Sequence, residues 1–210
     1  MRYFWPLAAG IVALVIVGVV LGIVLTRGPV GYALKGPVSW KDLPGLQTGK
    51  PPWPANSDIG LTTRLPSLGL DQLPSEALAF HIHQHLDIYV DGKHVTVPRY
   101  IGIHIDQQNP SSSFITEMHT HKTDGIIHVE SAKDLKYQLK SFFGEWGVRL
   151  TSKCLGSFKG SCDNLQWWVN GKKQVGNPAN LILKPHMEIV ISVGTPPKTI
   201  PKSYSFPAGY

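Results

Sequence analysis

The stretch His81-Ile82-His83-Gln84-His85-Leu86-Asp87-Ile88-Tyr89-Val90-Asp91-Gly92-Lys93-His94-Val95-Thr96-Val97 decides the fold, because it has the pattern of a β-hairpin carrying three histidines at period two. Side chains alternate across a strand, so Leu86, Ile88 and Val90 face one way while His81, His83, His85, Asp87 and Tyr89 face the other. Asp91-Gly92 is the dipeptide favoured by a two-residue type I′ turn, whose two central residues both need positive φ. Such a turn pairs Val90 with Lys93, Ile88 with Val95 and Leu86 with Val97. The returning strand then lays Val95 and Val97 on the same apolar face as Leu86 and Ile88, an independent check on the register. One face of the hairpin belongs to a core, and the other presents imidazoles.

Outward from the hairpin, the chain divides into four parts. Tyr3 to Thr26 carries no charge, and Leu7 to Leu25 is almost entirely Ala, Gly, Val, Ile and Leu, enough at ~1.5 Å per residue to cross a ~30 Å hydrocarbon core. Residues 1–27 therefore carry the expectation of an N-terminal transmembrane helix, retained as an anchor. A cleaved signal peptide is the alternative, but its apolar region runs to only about 15 residues and ends at a small-x-small site, which Leu25-Thr26-Arg27 is not. Residues 28–77 contain Pro29, Pro37, Pro44, Pro51, Pro52, Pro54, Pro66 and Pro74 and are expected as a semi-extended tether, its Trp40 and Trp53 packing on the body or on a partner. Residues 78–193 form the folded body, and the Pro-rich residues 194–210 form an extended tail.

Within the body, Tyr100 to Asp106 alternates as a third strand, and Ile126-Ile127-His128-Val129-Glu130 follows the turn signal Asp124-Gly125 as another. Ser131 has the chemistry of a helix N-cap, Leu135, Leu139, Phe142, Phe143 and Trp146 recur at helical spacing, and Gly147 closes the element. This is the one helix expected in the body. Val148-Arg149-Leu150 suggests a short strand, and Leu165 to Val169 is a strand ending in the hairpin signal Asn170-Gly171. Met187 to Val193 is almost wholly apolar and is expected as a central strand, buried on both faces. The fold class that follows is α+β and β-rich: an anchor, then a mixed or antiparallel sheet domain with one main helix.

Two resemblances bear on this. The helix, the cysteine loop, the hairpin Trp167-Trp168-Val169-Asn170-Gly171-Lys172 and the closing strand Glu188 to Val193 loosely resemble β-grasp domains of cobalamin-transport proteins, which implies a β-grasp-like C-terminal half and carries over no ligand residues. The combination of His-x-His-x-His-Leu-Asp (81–87), His-Thr-His (119–121), Asp-Gly-Ile-Ile-His-Val-Glu-Ser (124–131) and Val-Asn-Gly-Lys (169–172) resembles a group of membrane-anchored archaeal and bacterial proteins that have no assigned activity. It implies a shared architecture only.

The formal net charge of +6 lacks an Arg cluster or an aromatic ladder, which favours an anionic membrane surface over nucleic acid as its neighbour. Cys154 and Cys162 flank a polar loop that suits a local disulfide, hence an oxidising, extracytoplasmic compartment. The expected localisation is a cell membrane, spanned once, with the body outside, and a membrane protein complex is a possible partner.

Six of the nine histidines sit in two short windows: His81, His83 and His85, then His119, His121 and His128. Neighbours at i and i+2 on a strand are ~7 Å apart at Cα, a span that two imidazoles can close onto one ion, whereas His81 and His85 are ~13 Å apart. One ion therefore takes two of the first three. The economical set is His83, His85, His119 and His121, with His81 and His128 next in line and Asp87, Asp124 and Glu130 as carboxylate ligands or as acceptors for the imidazole N–H groups. The competing reading is a polar sheet face hydrogen-bonded to Asp87, Tyr89, Thr120 and Glu130. An all-imidazole site suits copper, then zinc.

The function expected from these features is metal delivery, buffering or sensing, or service as an accessory subunit of a membrane metalloenzyme. The alternative is a structural or interaction subunit without metal. An enzyme ranks third, as a cupin-like metal-dependent oxidoreductase: the second cupin motif is missing, and no nucleophile elbow or positioned free cysteine singles out a catalytic residue.

Overall fold

The structure, a computed structural model, describes residues 38–55 and 60–210. Its organising element is β1, Phe80–Val90, the longest strand among the described residues. Asp91 and Gly92 take φ of 49° and 75°, as the turn requires, and β2, Lys93–Val95, returns with Ile88 opposite Val95 and Val90 opposite Lys93. The apolar face lands as its alternation dictates, with Leu86, Ile88, Val95 and Val97 all buried.

The chain after the hairpin departs from simple alternation. Tyr100 and Gly102 both have φ of 70°, and a Cβ at position 102 would lie 2.2 Å from the Met118 carbonyl oxygen, so the backbone bends there instead of extending. The expected third strand shrinks to β3, Ile103–His104, which pairs with β4, Phe114–Ile115, in a separate two-stranded sheet. Five further strands complete the main sheet: β5, Met118–His119; β6, Ile126–Ser131; the hairpin of β7, Gln166–Val169, with β8, Lys172–Lys173; and β9, Glu188–Val193.

The strand order is β5-β6-β1-β9-β7-β8, with β2 pairing onto β1. One edge of β1 is shared by β6, antiparallel along residues 80–85, and by β2 along residues 88–90. Its other edge pairs in parallel with β9, setting Leu86 opposite Ile189 and Ile88 opposite Ile191. All six residues of β9 are buried, the mark of a central strand covered on both faces.

The described residues form a sheet-rich α+β domain with two helices, which corrects the expected architecture in three ways. Residues 1–27, on which the anchor was expected, lie outside the described residues, and among the described residues no helix is long and apolar enough to cross a membrane. The Pro-rich segment contributes a helix, α1, Leu61–Leu68, with Leu61, Arg64, Leu65 and Leu68 buried. The C-terminal half is no self-contained β-grasp-like unit, because β9, which carries the β7–β8 hairpin on one edge, pairs along its other edge with β1, in the other half of the chain.

The second helix, α2, Leu139–Trp146, begins seven residues after the sequence-expected Ala132. Ser131 belongs to β6 instead, and its hydroxyl accepts from the Tyr137 hydroxyl at 2.7 Å and from the Lys133 amide at 3.1 Å, so it serves a turn rather than a helix cap. Gly147 closes α2 at φ 74°. The two helices touch closely: a Cβ on Gly144 would sit 2.3 Å from Leu68 Cδ2. Phe142, Phe143 and Trp146 fill the space between α1 and the sheet, joined by Trp53, whose ring meets Trp146 edge-on at 5.9 Å.

Inside this layer lies a charged residue. Arg64 is 0% exposed and donates from Nη1 to the Pro44 carbonyl at 2.9 Å and from Nη2 to the Glu145 carbonyl at 2.8 Å, tying the N-terminal segment and α1 to α2. Val148 to Leu150 forms no strand, only a single bridge from Leu150 to Leu155, next to the disulfide Cys154–Cys162.

Candidate metal centre

The sheet has a second face, and its histidines follow from register. In β6, Ile127 and Val129 point to the helices, so His128 and Glu130 point away. Antiparallel pairing sets His83 opposite His128 and His81 opposite Glu130 on one side, and His119 opposite His128 on the other. Directly opposed residues have Cβ atoms about 4.5–5.5 Å apart, which brings their rings into contact. His121 joins from two residues beyond His119.

The result is a convergence of nitrogen and oxygen atoms. His81 Nε2 lies 3.0 Å from His83 Nε2, and His83 Nε2 lies 3.1 Å from His128 Nδ1. Glu130 Oε1 is 3.1 Å from His81 Nε2 and 3.2 Å from His128 Nδ1. On the other side, His119 Nε2 is 3.2 Å from His121 Nε2 and 3.8 Å from Glu130 Oε2. Donors arranged tetrahedrally around an ion with bonds of ~2.0–2.1 Å are separated by about 3.3 Å, close to these spacings. Two sets of four bring their donor atoms within 4.8 Å of one another and can hold a metal ion: His81, His83, His128 and Glu130, and His119, His121, His128 and Glu130.

Burial prepares these rings as ligands. Desolvation, helped by the neighbouring His128 and His81, lowers His83 to about 4, and desolvation lowers His119 to about 3 despite the pull of Glu130. Burial also depresses His121. Burial pushes the Glu130 carboxyl up, but the His128 hydrogen bond and the surrounding histidines outweigh it, leaving Glu130 below its ordinary range. At neutral pH His83, His119 and His121 are thus unprotonated beside an ionised Glu130 carboxylate, the state a metal requires.

His85 stands apart from these sets. Its Nδ1 is 2.9 Å from Glu188 Oε2 and its Nε2 is 2.9 Å from the Asp124 carbonyl oxygen, so both ring nitrogens face acceptors. Burial disfavours the cation, but Glu188, Asp87 and the Asp124 carbonyl outweigh it and raise the pKa. His85, Asp87 and Glu188 also gather within 4.8 Å and could hold an ion, but both ring nitrogens of His85 are already engaged by Glu188 and the Asp124 carbonyl oxygen. The Tyr204 ring stacks on it at 3.8 Å and 9°.

The other sequence candidates are distributed as follows. Glu130 takes the first of its two expected roles and sits among the donors. Asp87 accepts from His94 at 3.1 Å, and the Asp124 carboxylate accepts from the Ile126 amide at 3.2 Å. His104 stacks on Phe114 in the small sheet.

Four contributors escaped the sequence analysis: Glu76, whose Oε1 is 3.2 Å from His121 Nε2; Glu188; and the tail residues Tyr204 and Tyr210. Tyr210 lies over His83 and His128, with ring centroids at 4.5 and 5.3 Å. The lone carboxylate opening the apolar strand Glu188–Val193 was the available signal for Glu188. Nothing in residues 194–210 indicates that the tail folds back over the histidines.

No protein-family model, curated protein or solved structure matches the chain.

Proposed function

We propose that this protein binds a transition metal, copper ahead of zinc, on the histidine face of its sheet, in metal delivery, buffering or sensing or as an accessory subunit of a membrane metalloenzyme. The observation that carries the reading is the convergence of His81, His83, His128 and Glu130 from two adjoining strands, with His119 and His121 closing from a third. Imidazole suits both metals, and copper leads because it forms the stronger complexes with a given nitrogen site. A location on the outer side of a membrane belongs to the same proposal. Its support is the disulfide Cys154–Cys162 together with the charge-free run of residues 3–26.

The test is direct. The purified chain, stripped with a chelator and equilibrated with Cu(II) or Zn(II), is desalted and its metal measured by elemental analysis. Wild type and His85→Ala retain metal, while the double variant His83→Ala/His119→Ala, which takes one histidine from each set, loses most of it. A wild-type chain that comes off the column metal-free refutes the reading.

A further inference from the structure

The six donors do not form one set. They fall into two overlapping sets that share His128 and Glu130, and the pairs unique to each, His81 with His83 and His119 with His121, close on themselves at 3.0 and 3.2 Å. One ion with bonds of ~2.0–2.1 Å spans at most about 4.2 Å between opposite donors, and it has no use for two separate histidine pairs flanking one carboxylate.

The Glu130 carboxylate divides its oxygens between the pairs. Oε1 meets His81 and His128 at 3.1 and 3.2 Å, while Oε2 is directed toward His119 at 3.8 Å. Glu130 is only 3% exposed, and Oε2 has no hydrogen-bond partner among the described residues. A buried carboxylate oxygen without a donor is strongly destabilising unless a cation neutralises it. The unpartnered atom faces the second histidine pair.

Resting on the reading of this face as a metal site, we propose that it holds two metal ions bridged by Glu130. The first is held by His81, His83, His128 and Glu130 Oε1, a closed set of four. The second is held by His119, His121 and Glu130 Oε2, a set of three with an open position. Three protein donors plus an exchangeable position distinguish ions that take up a small ligand from ions that only support structure. A shared carboxylate sets the ions about 3.5–4 Å apart, as in other two-metal sites. Glu76, which meets His121 at 3.2 Å and is 46% exposed, is the carboxylate beside the open position.

The experiment is a Cu(II) titration of the chelator-stripped full chain, with elemental analysis for stoichiometry and electron paramagnetic resonance for coupling. The expected result is saturation at two equivalents, with a signal well below that of two isolated Cu(II) ions because the pair couples through Glu130. The double variant His119→Ala/His121→Ala is expected to hold one equivalent with the full signal of an isolated ion. Glu130→Gln, which keeps all five histidines and nearly the same volume, is expected to restore the isolated signal of whatever copper remains. Saturation of the wild type at one equivalent, or at two with the full uncoupled signal, overturns the paired centre and leaves a single-ion site standing. No uptake at all overturns both.

Discussion

Arg64→Met tests whether the Pro-rich segment is part of the fold. Methionine keeps the unbranched apolar stem but removes the donors that reach the Pro44 and Glu145 carbonyls at 2.9 and 2.8 Å. Each hydrogen bond from a charged donor contributes about 1.5–3 kcal/mol, so the pair is worth ~3–6 kcal/mol before any return. Relief of the desolvation that depresses the guanidinium pKa gives some of this back, and the net loss expected on breaking a buried charged arrangement is about 3–5 kcal/mol. At ~2–4 °C per kcal/mol for a domain of this size, the midpoint should fall by about 6–20 °C. Circular dichroism melts measure it, alongside urea unfolding to check the slope. Lys153→Met, at an exposed loop position, serves as the control and should stay within ~0.5 kcal/mol. A loss below ~1 kcal/mol for Arg64→Met would refute the argument that this segment is clamped into the core.

Other outcomes follow from single features. Both amide atoms of buried Gln84 lack partners among the described residues, so Gln84→Leu should stabilise by about 1–3 kcal/mol, and a destabilised variant contradicts this. Burial raises the Glu145 carboxyl well above its ordinary value, against the Thr116 hydroxyl and Arg64, which pull it down. The folded state therefore binds the extra proton, and stability declines as pH rises from the ordinary glutamate range through the raised value. Glu145→Gln should flatten that decline, and identical slopes in the two proteins would show that Glu145 does not cause it. Replacing Cys154 and Cys162 with alanine opens a loop of sequence separation 8 and should cost about 2.5 kcal/mol by loop entropy, read as a lower urea midpoint. Metal at ~100 times its dissociation constant should stabilise the chain by about 2.7 kcal/mol, or about 5–11 °C. The double variant His83→Ala/His119→Ala should abolish most of that shift, and His104→Ala, on the separate sheet, should not.

The sequence was most informative where a local rule and a global constraint coincide. Asp91-Gly92 fixed a turn, the turn fixed a register, and the register agreed with Leu86, Ile88 and Val95 on one face. The alternation of Ile127, His128, Val129 and Glu130 was equally legible, and it aims His128 and Glu130 at the site. What failed had no local signature. Helix α1 starts at Gly60, whose left-handed backbone offers no side-chain cap, and carries Pro66 inside it, so propensity and capping both argue against a helix that packing against α2 imposes. The grouping of His81 with His83, rather than His83 with His85, depends on where β6 ends. Pairing with β6 carries His81 and His83 toward Glu130 and His128, while His85, at the last paired position, falls instead beside Glu188 of the neighbouring strand. That assignment needs the pairing partner, which alternation alone does not name.

The parallel pairing of β1 with β9 also governs how the molecule is made. Ile88 takes Ile191 as its neighbour, about a hundred residues later in the chain. At ~5–20 residues per second, a ribosome needs about 5–20 s to deliver that partner. During this time the β6 strand, much closer in sequence, can already pair with β1 and gather all five histidines and Glu130. The long edge of β1 that awaits β9 stays open to any other extended chain. The residues of the imidazole cluster are therefore all synthesised before the strand that closes this edge, and until that strand arrives the edge has no partner from β9 to cover it.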